Sequence, residues 1–272
     1  MPDPVKISVV TIVLNDAPGL EMTIRSVSGQ DYHNPELIVI DGGSSDDTTA
    51  VIRAYADRVA FWISEKDEGI YDAMNKGLVH TTGDWVIFLN AGDSFASEML
   101  LPRVFTGNNT DADVLYGDSI ADYGPFRVYR PAGSPGDLRK GMFCNHQSMF
   151  FRRKLFCNRM FRTDLEIVAD HEFLFRLQTE GFTFQHIPVP VVTWNTRGLS
   201  NRHQVKSVVE RYKMVKHLMG HSFGSSGYYL LLLLLAAVTQ AGYWLFPEKW
   251  MWFVIRNINK KNLISKDMPG FG

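Results

Sequence analysis

The chain has 272 residues, of which 45% are hydrophobic and 21% charged, with a net charge of −1; it is long enough for one large domain or a domain with an appendage. The balance is uneven: residues 1–100 carry 16 Asp/Glu against 6 Lys/Arg, and residues 202–267 carry 10 Lys/Arg against 3 Asp/Glu. The acidic half argues against a nucleic-acid surface there, the basic tail suits anionic lipid, and two cysteines (Cys144, Cys157) with no CxxC pattern argue against a disulfide framework or a zinc site.

The N-terminus reads without a signal peptide. Lys6 to Leu14 is a β-branched strand ending at Asn15-Asp16. Pro18 sits near a helix start, and Leu20, Ile24 and Val27 give that helix its face. Glu36 to Ile40 is the next strand and ends at Asp41. Gly42 to Asp47 forms a turn and cap, followed by a helix marked by Val51, Ile52 and Tyr55. Val59 to Ile63 is a third strand.

Residues 64–93 read as a strand end, a helix and a second strand that stops at an acid. Asp67 is the expected helix cap. Ile70, Ala73, Met74, Gly77 and Leu78 form one buried face at i, i+3, i+4, i+7, i+8. Asp72, Asn75 and Lys76 share another face. Trp85 to Leu89 is a continuous apolar run, as in a strand covered on both sides, and Asn90-Ala91-Gly92-Asp93 breaks it. Strands alternating with helices predict an α/β fold, a Rossmann-like, mostly parallel doubly wound sheet with right-handed crossovers.

From about residue 100 the pattern loosens. Asp113 to Asp118 looks like another strand ending in an acid. Residues 122–141, rich in Gly, Pro and Arg, suggest an ordered loop over a site. Ser148 to Phe151 reads as a strand, Asp170 to Gln178 as a short helix, and Phe184 to Val192 as an edge strand because of its prolines. Arg202 to Met219 is a basic helix. Tyr228 to Phe246 is almost entirely apolar, Pro247 breaks it, and Trp250 to Ile255 resumes. The division expected is 1–200 for the catalytic-type domain and 201–272 for a helical, membrane-associating tail. The apolar run approaches the ~20 residues that span a bilayer. The second piece is too short to return, so a re-entrant or in-plane pair with Trp244, Trp250 and Trp252 at the headgroups fits better.

A dinucleotide site would need a Gly-rich turn after the first strand, and Asn15 to Gly19 lacks it. No P-loop exists. Instead, acids end three predicted strands at Asp41, Asp93 and Asp118. Carboxylates gathered at one sheet edge need a compensating cation, and hard oxygen ligands favour Mg²⁺ or Mn²⁺ with a diphosphate. Each acid alone could equally be a turn or cap residue.

Several blocks together resemble the family 2 glycosyltransferases of GT-A fold, especially those building bacterial surface polysaccharides. They are Thr11 to Asn15, Val39 to Ser44, Ser64 to Gly77, Phe88 to Asp93, Asn145-His146-Gln147 and Ala169 to Glu172. The resemblance implies a nucleotide-sugar donor, UDP- or GDP-linked, a divalent metal (Mn²⁺ or Mg²⁺), inversion at the anomeric carbon and a lipid-linked saccharide acceptor. With the basic tail it also implies peripheral or monotopic attachment to lipid on the cytoplasmic face of the bacterial inner membrane. Carried over by position, Thr11 and Asp41 contact the base and ribose, with Asn15, Asp72, Asn75, Lys76 and Asn90 completing the donor set. Asp93 is the metal-binding acid of the DxD motif, Asp170 the general base, and His146, Gln147 and His171 face the acceptor. Only one DxD carboxylate remains, Met74 replaces a diphosphate-binding Arg, with Lys76 as its substitute, and no Gln-x-x-Arg-Trp occurs, so a single sugar addition is expected. His146 also reads as a structural histidine, His171 as orienting Asp170 or facing solvent, and Arg127, Arg130, Arg152 and Arg153 as gripping an anionic lipid phosphate or lining a solvated face. The degraded DxD leaves open a sugar-nucleotide-binding or scaffold protein without turnover. A nucleotidyltransferase would want a Gly-rich basic loop after the first strand.

Overall fold

The structure is a computed structural model that describes residues 5–33, 35–106, 110–196, 203–219 and 223–264. The expected boundary at 200/201 and the side chain of Trp244 lie outside the described residues.

The first half follows the sequence pattern. β1 (Ile7–Val13), β2 (Glu36–Asp41), β3 (Phe61–Ser64) and β4 (Trp85–Phe88) pair in parallel in the order β3-β2-β1-β4. α1 (Ala17–Ser28), α2 (Thr48–Ala54) and α3 (Ile70–Val79) connect them. β1 and β4 are buried along their whole length because helices cover both faces. Val10, Ile12, Ile38 and Ile40 pack with α3 and with α5 (Ala169–Thr179) on one face. Ile7, Val9, Leu37 and Val39 pack with α1, α2 and α4 (Leu100–Phe105) on the other. A Cβ at Gly77 would lie 2.4 Å from Val10 Cγ1, so glycine is what lets α3 lie this close to the sheet.

The second half departs from a doubly wound sheet. β6 (Val114–Asp122), β7 (Arg127–Arg130) and β8 (Met149–Arg152) extend the sheet in the order β4-β8-β6-β7 with antiparallel pairings. The architecture is therefore mixed α/β: β1 to β4 pair in parallel, while β8, β6 and β7 join the sheet through antiparallel pairings. β7 also corrects the expectation of a loop over 122–141. β9 (Phe184–Asn195) runs parallel to β6 and antiparallel to β5 (Ser94–Phe95). Register shifts around Gly117 and Asp118 absorb its prolines. Asp118 lies mid-strand in β6 rather than at a strand end.

The C-terminal segment forms α6 (Gln204–Met219), α7 (Phe223–Leu245), α8 (Glu248–Ile258) and β10 (Leu263–Ile264). α6 and α7 bury Val208, Met214, Val215, Tyr229 and Ala236 against Ile167 and Val168, just ahead of α5. β10 then pairs with β7, so the chain returns to the sheet edge. No helix among the described residues is long and apolar enough to cross a membrane. α7 nevertheless exposes Leu230, Leu231, Leu234, Leu235 and Val238, and α8 exposes Trp250 and Phe253.

Candidate active site

The loops leaving β1 to β4 are stitched together at the C-terminal edge of the parallel strands, where open α/β sheets bind ligands. Asn15 adopts a left-handed φ of 53°, which asparagine tolerates. Its backbone N–H donates to Ser44 Oγ at 2.7 Å, and its Oδ1 accepts from Ser45 N at 2.8 Å. Asp41 is fully buried and accepts from the Ser44 amide and from the hydroxyls of Ser44 and Ser64. Asp67 caps nothing: Gly69 holds the N-cap position of α3, and Asp67 accepts from the Gly69 amide instead. Its carboxylate stands against Gly42, where an added Cβ would meet Asp67 Oδ2 at 2.3 Å.

After β4, Gly92 turns the chain at φ 89°, with Asp16 beside it. This turn sends Asp93 inward, 5% exposed. The Gln147 side-chain amide donates to Asp93 Oδ2, and the Asn195 backbone N–H donates to Oδ1 at 2.8 Å. Burial pushes the Asp93 carboxyl up to about 7; the Asn195 amide, His146 and Gln147 pull the other way, and Asp16 adds to the rise. Asn90 Oδ1, three residues before it in the same turn, is buried with no hydrogen-bond partner among the described residues.

Facing this mouth is the first turn of α5. Asp170 Oδ1 accepts from the His171 backbone at 2.8 Å and from the Tyr71 hydroxyl at 2.9 Å, a proton that Tyr71 shares with the Ile167 carbonyl. Asp170 Oδ2 lies 3.2 Å from His146 Nδ1. Burial alone would raise the Asp170 carboxyl, but His146, Tyr71 and the His171 amide outweigh it and hold it below the ordinary value. Burial and the neighbouring Asp170 charge drive the Tyr71 hydroxyl well above its usual range.

The structure brings together Asn15, Asp41, Asn90, Asp93, His146 and Asp170, and separates the rest. Thr11 is fully buried inside β1 on the side of Val9 and Val13, which pack on α1, so it does not reach the mouth. Asn75 is spent on the backbone of Phe161: its Nδ2 donates to the carbonyl and its Oδ1 accepts from the amide, both at 2.9 Å. Lys76 sits between Glu65 at 2.9 Å and Asp72 at 3.2 Å. Gln147 donates its side-chain amide to Asp93. His171 is 1% exposed and bonds the Leu138 carbonyl through Nε2 at 2.6 Å, turned away from the mouth by its place one residue along the helix. Asp118 binds Tyr129, the Ala132 amide and His186. Arg127, Arg130, Arg152 and Arg153 are tied to Asp122, Asn259, the Ala112 carbonyl and the Gly83 carbonyl.

Glu210 of α6 is a functional-site support that sequence reading does not reveal. Its carboxylate accepts the backbone amides of Glu166, Ile167 and Val168 at 2.8–3.0 Å, fixing the approach to Asp170. Only its acidity on an otherwise basic helix signals it in the sequence.

Among the described residues no three His, Cys, Asp or Glu side chains form a metal-binding group. A single buried carboxylate with an orphaned amide oxygen in the same turn still suits Mg²⁺ or Mn²⁺, which are commonly held by one or two carboxylates plus substrate phosphates.

The sequence profile described as "Glycosyl transferase family 2" matches residues 8–177, more than half of the chain. The chain belongs to that family. It is a glycosyltransferase. A Mycobacterium bovis protein named PGL/p-HBAD biosynthesis glycosyltransferase is 32% identical over 222 residues, covering 78% of this chain and 85% of its own. An uncharacterized glycosyltransferase of Mycobacterium tuberculosis is 37% identical over 213 residues, covering 74% and 79%. Among solved structures, the mannosyltransferase PcManGT from Pyrobaculum calidifontis, in complex with GDP-Man and Mn²⁺, superposes with a TM-score of 0.63 at 17% identity, over 94% of this glycosyltransferase and 81% of that chain. Residues 1–349 of S. aureus TarS, in complex with UDP, give a TM-score of 0.59 at 15% identity, over 84% and 70%. These two likenesses are of fold.

Proposed function

We propose that this glycosyltransferase moves one sugar from a UDP- or GDP-linked donor to a lipid-linked saccharide, with inversion, in bacterial surface-glycan synthesis. The observation that carries the reading is the facing of two acidic centres across one mouth: Asp93 in the turn between β4 and β5, and Asp170 with His146 at the start of α5. A single displacement needs that division. The acceptor hydroxyl loses a proton on one side as its oxygen bonds to C1, while the C1–O bond to the diphosphate breaks on the other and the diphosphate leaves with the electron pair. Asn15, Asp41 and the Ser44 turn form the wall for the nucleoside end of the donor. Asp93 and Asn90 would hold a divalent ion, which when bound supplies charge stabilisation to the leaving diphosphate. The mycobacterial relative named for PGL/p-HBAD biosynthesis and the GDP-Man and UDP complexes of the two solved neighbours are in keeping with this substrate class.

Attachment to lipid is part of the same proposal. The exposed leucines of α7 and aromatics of α8, with Lys249, Arg256, Lys260 and Lys261 nearby, suit an in-plane helical pair on an anionic leaflet at the cytoplasmic face.

The test is thermal stabilisation of the purified protein by UDP and by GDP, each with and without Mn²⁺, followed by nucleotide release from UDP-GlcNAc, UDP-glucose, UDP-galactose and GDP-mannose. A ligand that binds only the folded state raises its stability. Stabilisation with turnover supports the reading. Stabilisation without turnover of any sugar would favour a binding protein that has lost catalysis.

A further inference from the structure

Asp16 carries an oxygen that its structural role does not use. It is the N-cap of α1: Oδ1 accepts from the Gly19 amide at 3.0 Å, and the backbone carbonyl accepts from the Leu20 amide at 2.9 Å. Oδ2 has no hydrogen-bond partner among the described residues, and the residue is half-buried. Two glycines make room for this carboxylate. A Cβ at Gly19 would collide with Asp16 Oδ2, and a Cβ at Gly92 would stand 3.5 Å from the same oxygen. The carboxylate of Asp16 therefore reaches from the turn after β1 to the turn that carries Asn90 and Asp93. The two turns are fixed to each other. The buried Thr23 hydroxyl of α1 donates to the Asp93 backbone carbonyl at 2.7 Å, and the Ala91 amide donates to the Ile12 carbonyl at 3.1 Å.

We infer that Asp16 is the second carboxylate of the divalent-metal site, supplied by the turn after β1 in place of the acid missing from the turn after β4. The inference rests on the proposed metal site at Asp93 and Asn90 and adds a ligand to it. Asp93 lies within electrostatic range of Asp16. Each Asp93 oxygen takes one hydrogen bond, which leaves a lone pair on each. Asn90 Oδ1 adds a neutral oxygen, buried with no partner among the described residues. Like charges held this close are costly unless a cation compensates them. Capping alone does not call for a charge here, since Asn caps a helix as well as Asp. Mg²⁺ and Mn²⁺ are held by one or two carboxylates together with substrate phosphates, so two acids and one amide oxygen leave positions for the donor's diphosphate.

The experiment uses the full chain and compares wild type with Asp16→Asn, Asp16→Ser and Asp93→Asn. Asn and Ser both keep a capping oxygen at position 16, so melting in metal-free buffer should stay close to wild type. Mn²⁺ binding is followed by the loss of the free-ion signal in electron paramagnetic resonance, in the presence of UDP or GDP. Both Asp16 variants should bind Mn²⁺ at least ~10-fold more weakly, because even the outer partners of a metal ligand are worth that much. In EDTA the same variants should bind the nucleotide at least as tightly as wild type, since a negative charge beside the diphosphate is gone. Wild-type Mn²⁺ affinity in both Asp16 variants, beside a loss in Asp93→Asn, would overturn the inference, leaving Asp16 a cap and the metal at Asp93. Nucleotide binding in EDTA weakened as much as Mn²⁺ binding would also overturn it, by showing that the donor wall had been distorted. A wild type that binds nucleotide but no Mn²⁺ would remove the metal site and this inference with it. One that binds neither would remove the donor reading itself.

Discussion

Gln147 reaches from the turn before β8 to the carboxylate of Asp93 in the turn between β4 and β5, so the site acid is held by a turn that comes late in the chain. Both Asp93 oxygens are engaged, yet burial still pushes the carboxyl up to about 7. A bound cation would relieve that cost. Asp93→Asn keeps the shape and an acceptor but removes the charge. Mn²⁺ should then no longer strengthen binding of UDP or GDP in a calorimetric titration, and transfer should fall by at least ~10². Undiminished Mn²⁺ dependence would move the metal to another acid, with Asp16 and Asp41 the nearest alternatives.

Asn75 supplies a prediction of opposite kind. Its amide is committed to both backbone groups of Phe161. Asn75→Ala strands a partly buried N–H and C=O, at a cost of about 2 kcal/mol. Denaturant unfolding should show that loss, while nucleotide affinity in a folded sample stays unchanged. A large drop in affinity with stability intact would put Asn75 in the donor site after all.

Glu210 ties the C-terminal helices to the chemistry. Three backbone amides donate to its carboxylate immediately before α5, and hydrogen bonds to a charged acceptor are among the stronger ones. Glu210→Ala should cost on the order of 2 to 4 kcal/mol. It should also accelerate amide exchange at residues 166–168 and lower transfer more than donor binding. Wild-type exchange at these amides would show that the cap is not needed.

Much of this site was legible from order and type of residue alone. In residues 5–93 the strand and helix periods are clean because both faces of the sheet are covered, and Asp41, Asp93 and Asp170 stand out as acids at element ends. Thr11 could have been read better: strand alternation puts it with Val9 and Val13 on the packed face. Asn75 and Glu210 were not legible, because their partners are backbone groups 86 and 44 residues away whose position depends on the chain path. In the second half β7 has four residues and Leu263–Ile264 two, too little pattern to separate β7 from a loop or to show that Leu263–Ile264 returns to the sheet.

Glu36 makes the pH dependence of stability testable away from the site. It is held by Ser8, by the Thr82 amide at 2.9 Å and hydroxyl at 2.7 Å, and by Lys6 at 3.1 Å. Burial would raise its carboxyl, but these bonds together depress it. A depressed folded value means the unfolded chain binds the proton more readily, so stability rises with pH in that window. The contribution is fully present above the ordinary value near 4.5 and is lost as pH falls through the lower folded value. Urea unfolding of wild type and Glu36→Gln should differ at pH 7 and converge as the solution is acidified below 4.5. A constant difference would assign the effect to shape rather than charge.

The final prediction concerns α7 and α8. Leu230, Leu234 and Val238 recur every fourth residue, Leu231 and Leu235 flank them, and all five are more than half exposed. The opposite side of α7 is occupied: Tyr229 and Ala236 pack against α6 and the segment before α5. Truncation would be a poor probe, since it also removes β10 from the sheet edge. Leu231→Glu with Leu235→Glu changes only the exposed side, so the fold and its thermal stability should survive. If the pair lies in the headgroup region, wild type should co-sediment with vesicles containing anionic lipid, less so with neutral vesicles or at high salt. The double variant should stay in the supernatant, because burying two carboxylates in the acyl boundary opposes binding. Equal sedimentation of the two proteins would exclude this face as the lipid contact. If the wild type instead forms a concentration-dependent dimer that the double variant abolishes, with no vesicle binding by either, the stripe is a contact between copies of this chain.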